Sequence, residues 1–218
     1  MTDAAVVVFG AQRVPRPLRG LTVRRAEGPA DVAAIDAAIG PYRRLVVVGA
    51  DADLAALLTR LLRAERLDIE VAYVPRRLTP ATRVYRILAG YWGARRARRG
   101  AALRVPLIRD ETGAVIVGRA SWEPADDRRL IHGEAVVDDL TLFDGEVAGV
   151  DIEPAPEMPG VRASLQDSGR RIGRYWLVGR AVQLGSTGVV VVRDGVPATR
   201  ATRRSTFYHN VEGWLLVR

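Results

Sequence analysis

The sequence predicts a chain of two kinds of structure, an α/β lobe over residues 1–100 and an antiparallel β lobe over residues 101–218. Three observations lead there. Strand and helix signals alternate through the first third of the chain. Beyond residue 100 almost only strand signals follow, separated by glycine turns. A length of 218 residues is ample for one large domain or two small ones with a buried core.

The elements follow in order. "AVVVF" (5–9) and "LVVV" (45–48) are short β-branched runs, as expected of strands buried on both faces. "PADVAAIDAAIG" (29–40) opens on Pro29, sets Val32, Ile35 and Ile39 on one side and stops at Gly40, the pattern of a short helix. Leu54, Leu57, Leu58, Leu61 and Leu62 repeat at helical spacing and form one apolar stripe, with Arg60, Arg63 and Arg66 off it. "IEVAYV" (69–74) is the next strand, so residues 45–74 read as a right-handed strand–helix–strand crossover. Residues 85–102 are expected to cross over to the second lobe. There, 103–108 with 114–119 and 135–142 with "AGVDI" read as hairpins, and 154–173 as a long loop. "RYWLVGRAVQL" (174–184), "VVVVR" (189–193) and "STFYHNVEGWLLVR" complete the strands. "FDGEV", "GSTG" and "RDGVP" are expected turns.

Composition excludes several chemistries. The chain has no cysteine, so disulfides, thiolate metal sites and cysteine nucleophiles are ruled out. All 33 basic side chains are arginine, which rules out a lysine-dependent phosphate loop or a Schiff base. Arginine's planar fork still suits phosphate, and a net charge of +8 favours an anionic partner. No apolar run approaches the roughly 20 residues of a membrane span, and the acidic start lacks a signal peptide's basic region. The expected location is the cytoplasm, with peripheral membrane contact allowed. The two histidines, His132 and His209, are expected in a turn and a strand, and no zinc-protease or serine-elbow motif is present. Trp122, Trp176 and Trp214 are expected to be core or lobe-interface residues. With no recognisable nucleic-acid module, nucleic acid is disfavoured.

In "VVVGADADLAALLTRLL" an apolar strand runs into a short loop and then a leucine-rich helix. This resembles the signature G-G-D-G-T of the diacylglycerol kinase-like lipid kinases, relatives of the NAD kinases. Gly49 matches the first glycine and Asp51 the aspartate. Ala50, Ala52 and Asp53 stand for the second glycine, the third glycine and the threonine. A second signature, proline followed by G-T and N-D, meets "VPRRLTPATR". Pro75 fits, Arg76, Arg77 and Leu78 replace the glycine and threonine, and Thr79 or Thr82 is left to supply a hydroxyl. "FGAQRVPRP" stands where the family has an asparagine–proline phosphate turn. The resemblance implies a Rossmann-like N-terminal lobe, a C-terminal β-sandwich-like lobe, and ATP bound between them. Acidic residues near D-G turns would lie in the β lobe, here Asp144, Glu146 and Asp194.

Three functions follow as expectations. The favoured one is a diverged relative that binds a phosphate-bearing ligand, nucleotide or anionic lipid, between its lobes. Gly49, Asp51, Asp53, Arg76, Arg77, Thr79 and Thr82 would form that site. The second is an active lipid kinase, in which Asp51 and Asp53 help hold Mg²⁺ for ATP, and Asp144, Glu146 or Asp194 acts as base. The third is a basic module in which Arg95, Arg96, Arg98 and Arg99, beside Tyr91 and Trp92, meet an acidic membrane surface or nucleic acid. Each has a plainer counterpart. Asp51 or Asp53 can simply cap a helix, and the arginine runs can be solvated faces.

Overall fold

The computed structural model describes residues 4–40, 42–166 and 175–218. It divides into two units, residues 1–105 with 212–218, and residues 106–211. The first is α/β and the second antiparallel β, as the sequence predicts.

In the first unit, β1 (Ala4–Phe9), β2 (Thr22–Ala26), β3 (Arg44–Val48) and β4 (Glu70–Tyr73) are parallel. β17 (Trp214–Val217) extends them in parallel, and β5 (Ala102–Val105) closes the sheet antiparallel. The order is β2-β1-β3-β4-β17-β5. The helices are α1 (Val32–Ala38), α2 (Asp51–Arg63), α3 (Pro80–Tyr85) and α4 (Gly90–Arg99). Alternate residues of the central strands, Val6, Val8, Val46, Val48, Ala72 and Val74, pack with Ala94 and Ala97 of α4. The leucine stripe of α2 is buried through Leu54, Leu57, Leu58 and Leu61. Covering both faces of a parallel sheet is what makes its strands apolar throughout.

Two elements carry no apolar signal. β2 reads Thr-Val-Arg-Arg-Ala because it is an edge strand, and three of its five residues are exposed. α4 lies in the stretch expected only as a crossover. Its buried side is Gly93, Ala94 and Ala97, too small to register as a hydrophobic stripe. Gly93 is required there: a Cβ would sit 2.3 Å from the Leu88 carbonyl oxygen. The C-terminus of α4 is tied down by Arg44, whose guanidinium donates to the carbonyls of Ala97 (3.1 Å) and Gly100 (3.0 Å) and to Glu70 (2.7 Å). A cation at a helix C-terminus satisfies orphan carbonyls and the helix dipole together.

The expected division at residue 100 shifts, because the last strand returns to the first sheet. Leu215 and Leu216 pair with Glu70 and Val71, and the buried Trp214 meets Tyr85 edge-to-face with ring centroids 5.3 Å apart. Trp214→Ala is therefore expected to cost about 3–5 kcal/mol, the usual penalty for emptying a large aromatic site. Urea melts read by loss of α-helical circular dichroism check this.

The second unit contains β6 (Ile108–Asp110), β7 (Val115–Ile116), β8 (Ala120–Pro124), β9 (Ile131–Val137), β10 (Leu140–Val147), β11 (Val150–Pro154), β12 (Val161–Leu165), β13 (Leu177–Gly179), β14 (Ala181–Arg193), β15 (Val196–Pro197) and β16 (Thr202–His209). They form one eleven-stranded sheet with the central path β13-β12-β11-β8-β14-β16-β6-β7. Its core gathers Trp122, Ile131, Val150, Ile152, Val182, Val191 and Phe207.

Several expectations change here. "GSTG" does not turn; it lies inside β14, where the register with β16 shifts between Gly185 and Val189. At that bulge the strand exchanges one neighbour for another, pairing with β9 through Val182–Ser186 and with β8 through Val189–Arg193. Glycines that usually mark a turn here let a strand bend. "FDGEV" likewise lies within β10, Asp144 opposite Glu134 and Glu146 opposite His132, so His132 is a strand residue. The expected hairpins also re-pair. β5 belongs to the first sheet, β6 pairs with β7, and β9 with β10. The loop expected over 154–173 contains β12, paired with β11, while residues 167–173 of it and Arg174 lie outside the described residues. "RDGVP" does turn, with Asp194 (φ 48°) and Gly195 (φ 84°) linking β14 to β15.

Candidate functional site

The carboxyl ends of β1 and β3 lie side by side, and the chain leaves them in opposite directions, to β2 on one side and to β4 on the other. Ligands of open α/β sheets gather outside the strand ends at such a reversal. A cavity of about 790 Å³ occupies this place in the first unit. Val48, Val74 and Pro75 are its apolar part, Tyr91 of α4 forms an aromatic wall, and Arg13, Arg16 and Arg76 contribute guanidinium groups. All three arginines are exposed, and no described carboxylate lies within ion-pair distance of them. Among the described residues no acidic one lines the cavity. The arrangement offers concentrated positive charge over an apolar floor, which suits an anionic group carried on an apolar or planar body.

Beside it, the loop Gly49–Ala50 enters α2, and the two aspartates are committed within the fold. Ala50 is the N-cap. Asp53, at the third helical position, reaches back to accept from the Ala50 N–H at 2.8 Å, half of a capping box. Gly49 is glycine for the same reason, since a Cβ there would fall 2.5 Å from Asp53 Oδ2. Asp51 accepts from the Tyr73 hydroxyl through Oδ1 (2.7 Å) and from the Ala81 N–H through Oδ2 (3.0 Å), bolting α2 to β4 and to the start of α3. Thr79 and Thr82 cap α3 reciprocally. The Thr82 N–H donates to Thr79 Oγ1 at 3.2 Å and the Thr79 N–H to Thr82 Oγ1 at 2.8 Å.

Mg²⁺ does not fit this donor set. Both Asp51 oxygens and Asp53 Oδ2 already accept hydrogen bonds. Among the described residues no three His, Asp or Glu side chains gather as metal ligands. Burial pushes the Asp53 carboxyl up, partly offset by the Ala50 N–H. The native state then holds a proton that the unfolded chain has lost, so this group's contribution to stability falls as pH rises above the ordinary aspartate value of about 3.9. Asp53→Asn is expected to lose less stability than the wild type between pH 4 and pH 7. Chemical melts at the two pH values measure the difference.

Of the remaining expected site residues, Arg76 lines the cavity and Arg77 is exposed beside it. Arg98 donates to the carbonyls of Pro17 (2.9 Å) and Arg19 (3.3 Å), while Arg95, Arg96 and Arg99 are exposed on α4. In the second unit, Asp144 borders a hollow of about 280 Å³ with His132, Glu134, Ser186 and Thr187. Asp194 is elsewhere. Its carboxylate accepts from the N–H groups of Val117 (3.0 Å), Gly118 (2.7 Å) and Arg119 (3.0 Å). Ser186 and Arg193 are seven positions apart along β14, on the order of 20 Å along a strand. Asp194 therefore does not join Asp144 and Glu146 in one cluster. Arg13 and Arg16 escape the motif comparison. Their signal is the basic, proline-rich "AQRVPRP" directly after the first strand.

No family model matches the chain, and no curated protein does. Solved structures do. A diacylglycerol kinase from Bacillus anthracis str. Sterne superposes with a TM-score of 0.73 at 8% identity, over 99% of this chain and 96% of that one. An NAD kinase from Archaeoglobus fulgidus in complex with ATP superposes with a TM-score of 0.63 at 13% identity, over 99% of this chain and 93% of that one. The chain has the fold of the diacylglycerol kinase-like and NAD kinase proteins.

Proposed function

We propose that the chain binds a phosphate-bearing ligand in the arginine-lined cavity of its first unit and does not transfer a phosphoryl group. The observation that carries this reading is the exchange of hardware at the strand ends. The loop N–H of Ala50, which in a phosphate loop would face the ligand, is taken by the chain's own Asp53, while three guanidinium groups with no described acidic partner line the neighbouring cavity. The ATP held by the NAD kinase of the same fold supports a nucleotide as the first probe. Isothermal titration with ATP, alongside an assay for phosphate transfer to diacylglycerol, tests it. Saturable one-site binding without turnover is expected; lipid phosphorylation contradicts it.

A second reading, contact with an acidic membrane surface, is favoured by one stretch. Residues 75–101 contain eight arginines and no acidic residue. Within it Leu78, Leu88, Tyr91 and Trp92 are 72%, 56%, 52% and 64% exposed. Aromatic rings suit the bilayer interface and arginines its anionic headgroups. Arg95→Glu/Arg99→Glu is expected to abolish sedimentation with phosphatidylglycerol vesicles. Trp92→Ala is expected to weaken it even at low salt. Unchanged binding in both variants excludes this surface.

A further inference from the structure

Building on the cavity reading above, we infer that the ligand is held as a metal-free anion, its charge neutralised by Arg13, Arg16 and Arg76 in place of Mg²⁺.

Mg²⁺ is ordinarily brought to a phosphate site by one or two carboxylates together with phosphate oxygens and water. Among the described residues the cavity wall offers no carboxylate. The two aspartates next to it are occupied by donors that belong to the fold. Asp51 bridges Tyr73 and Ala81, and Asp53 closes on Ala50. Bringing Asp51 to a metal would strip buried donors of their acceptor, and bringing Asp53 would open the cap at the start of α2. The arginines supply what the carboxylates do not: three permanent positive charges with planar donor forks and no described acidic partner. A phosphate already complexed to Mg²⁺ has given up negative charge and part of its oxygen surface. It therefore meets these guanidinium groups at a disadvantage. Magnesium here is a competitor for the ligand.

The experiment is calorimetric titration of the full chain with ATP, and separately with inorganic tripolyphosphate, in EDTA and in excess MgCl₂ at matched ionic strength. Binding in EDTA is expected to be about tenfold tighter or more, near 1.4 kcal/mol. Arg76→Ala, an exposed substitution that leaves the core intact, is expected to weaken binding in EDTA and shrink the magnesium effect. Equal or tighter binding in MgCl₂ overturns the inference while leaving the ligand site standing. Absence of binding to either probe under both conditions overturns the ligand site, and this inference with it.

Discussion

Replacing Arg13, Arg16 and Arg76 together by alanine is expected to abolish anion binding while leaving the fold intact. Each guanidinium–phosphate hydrogen bond contributes about 1.5–3 kcal/mol, so losing even two weakens binding on the order of a hundredfold or more. All three side chains are exposed, and no described ion pair depends on them. Exposed substitutions away from such features usually change stability by about 0.5 kcal/mol or less. Titration with ATP in EDTA, with a urea melt of the same preparation, separates the two effects. An unchanged affinity would remove the cavity from consideration as the ligand site.

Asp51→Ala is expected to act in the opposite way, lowering stability strongly. The carboxylate is buried, 7% exposed, and accepts from two groups on separate elements, the Tyr73 hydroxyl and the Ala81 N–H. Removing it deprives a buried backbone N–H of its acceptor and takes the bond from a buried hydroxyl, a loss of about 2–4 kcal/mol. That is a large share of the 5–15 kcal/mol by which domains of this kind are stable. Denaturant melts should show a lower midpoint with an unchanged slope. A variant as stable as the wild type would mean that Asp51 is not a bolt between α2, β4 and α3, and would reopen a ligand role for it.

Asp51 also shows how far the sequence could be read. Its place after an apolar strand and before a leucine helix was legible, and the fold class with it, because strands covered on both faces must be apolar and helix stripes must repeat at 3.6 residues. What the side chain does was not. A carboxylate two residues into a loop reads alike whether it faces a metal or a tyrosine hydroxyl brought from residue 73. The same limit hid α4, whose buried face is glycine and alanine, and moved Trp214 to the first sheet, since strand pairing across more than a hundred residues leaves no local signal. It also turned "GSTG" from a loop into a bulge. Glycine permits either, and the choice is made by which strands lie alongside. For the site, Arg76 was legible from its place after β4. Arg13 and Arg16 were not, because they follow the first strand in a segment without a phosphate-turn motif.

The most direct measurement is a crystal structure of the chain grown with ATP in the absence of divalent metal. Phosphate density within hydrogen-bonding distance of Arg13, Arg16 and Arg76, with Asp53 still closed on the Ala50 N–H, is the expected result. Phosphates seated instead on the Gly49–Ala50 loop, with Asp53 swung away, would contradict it.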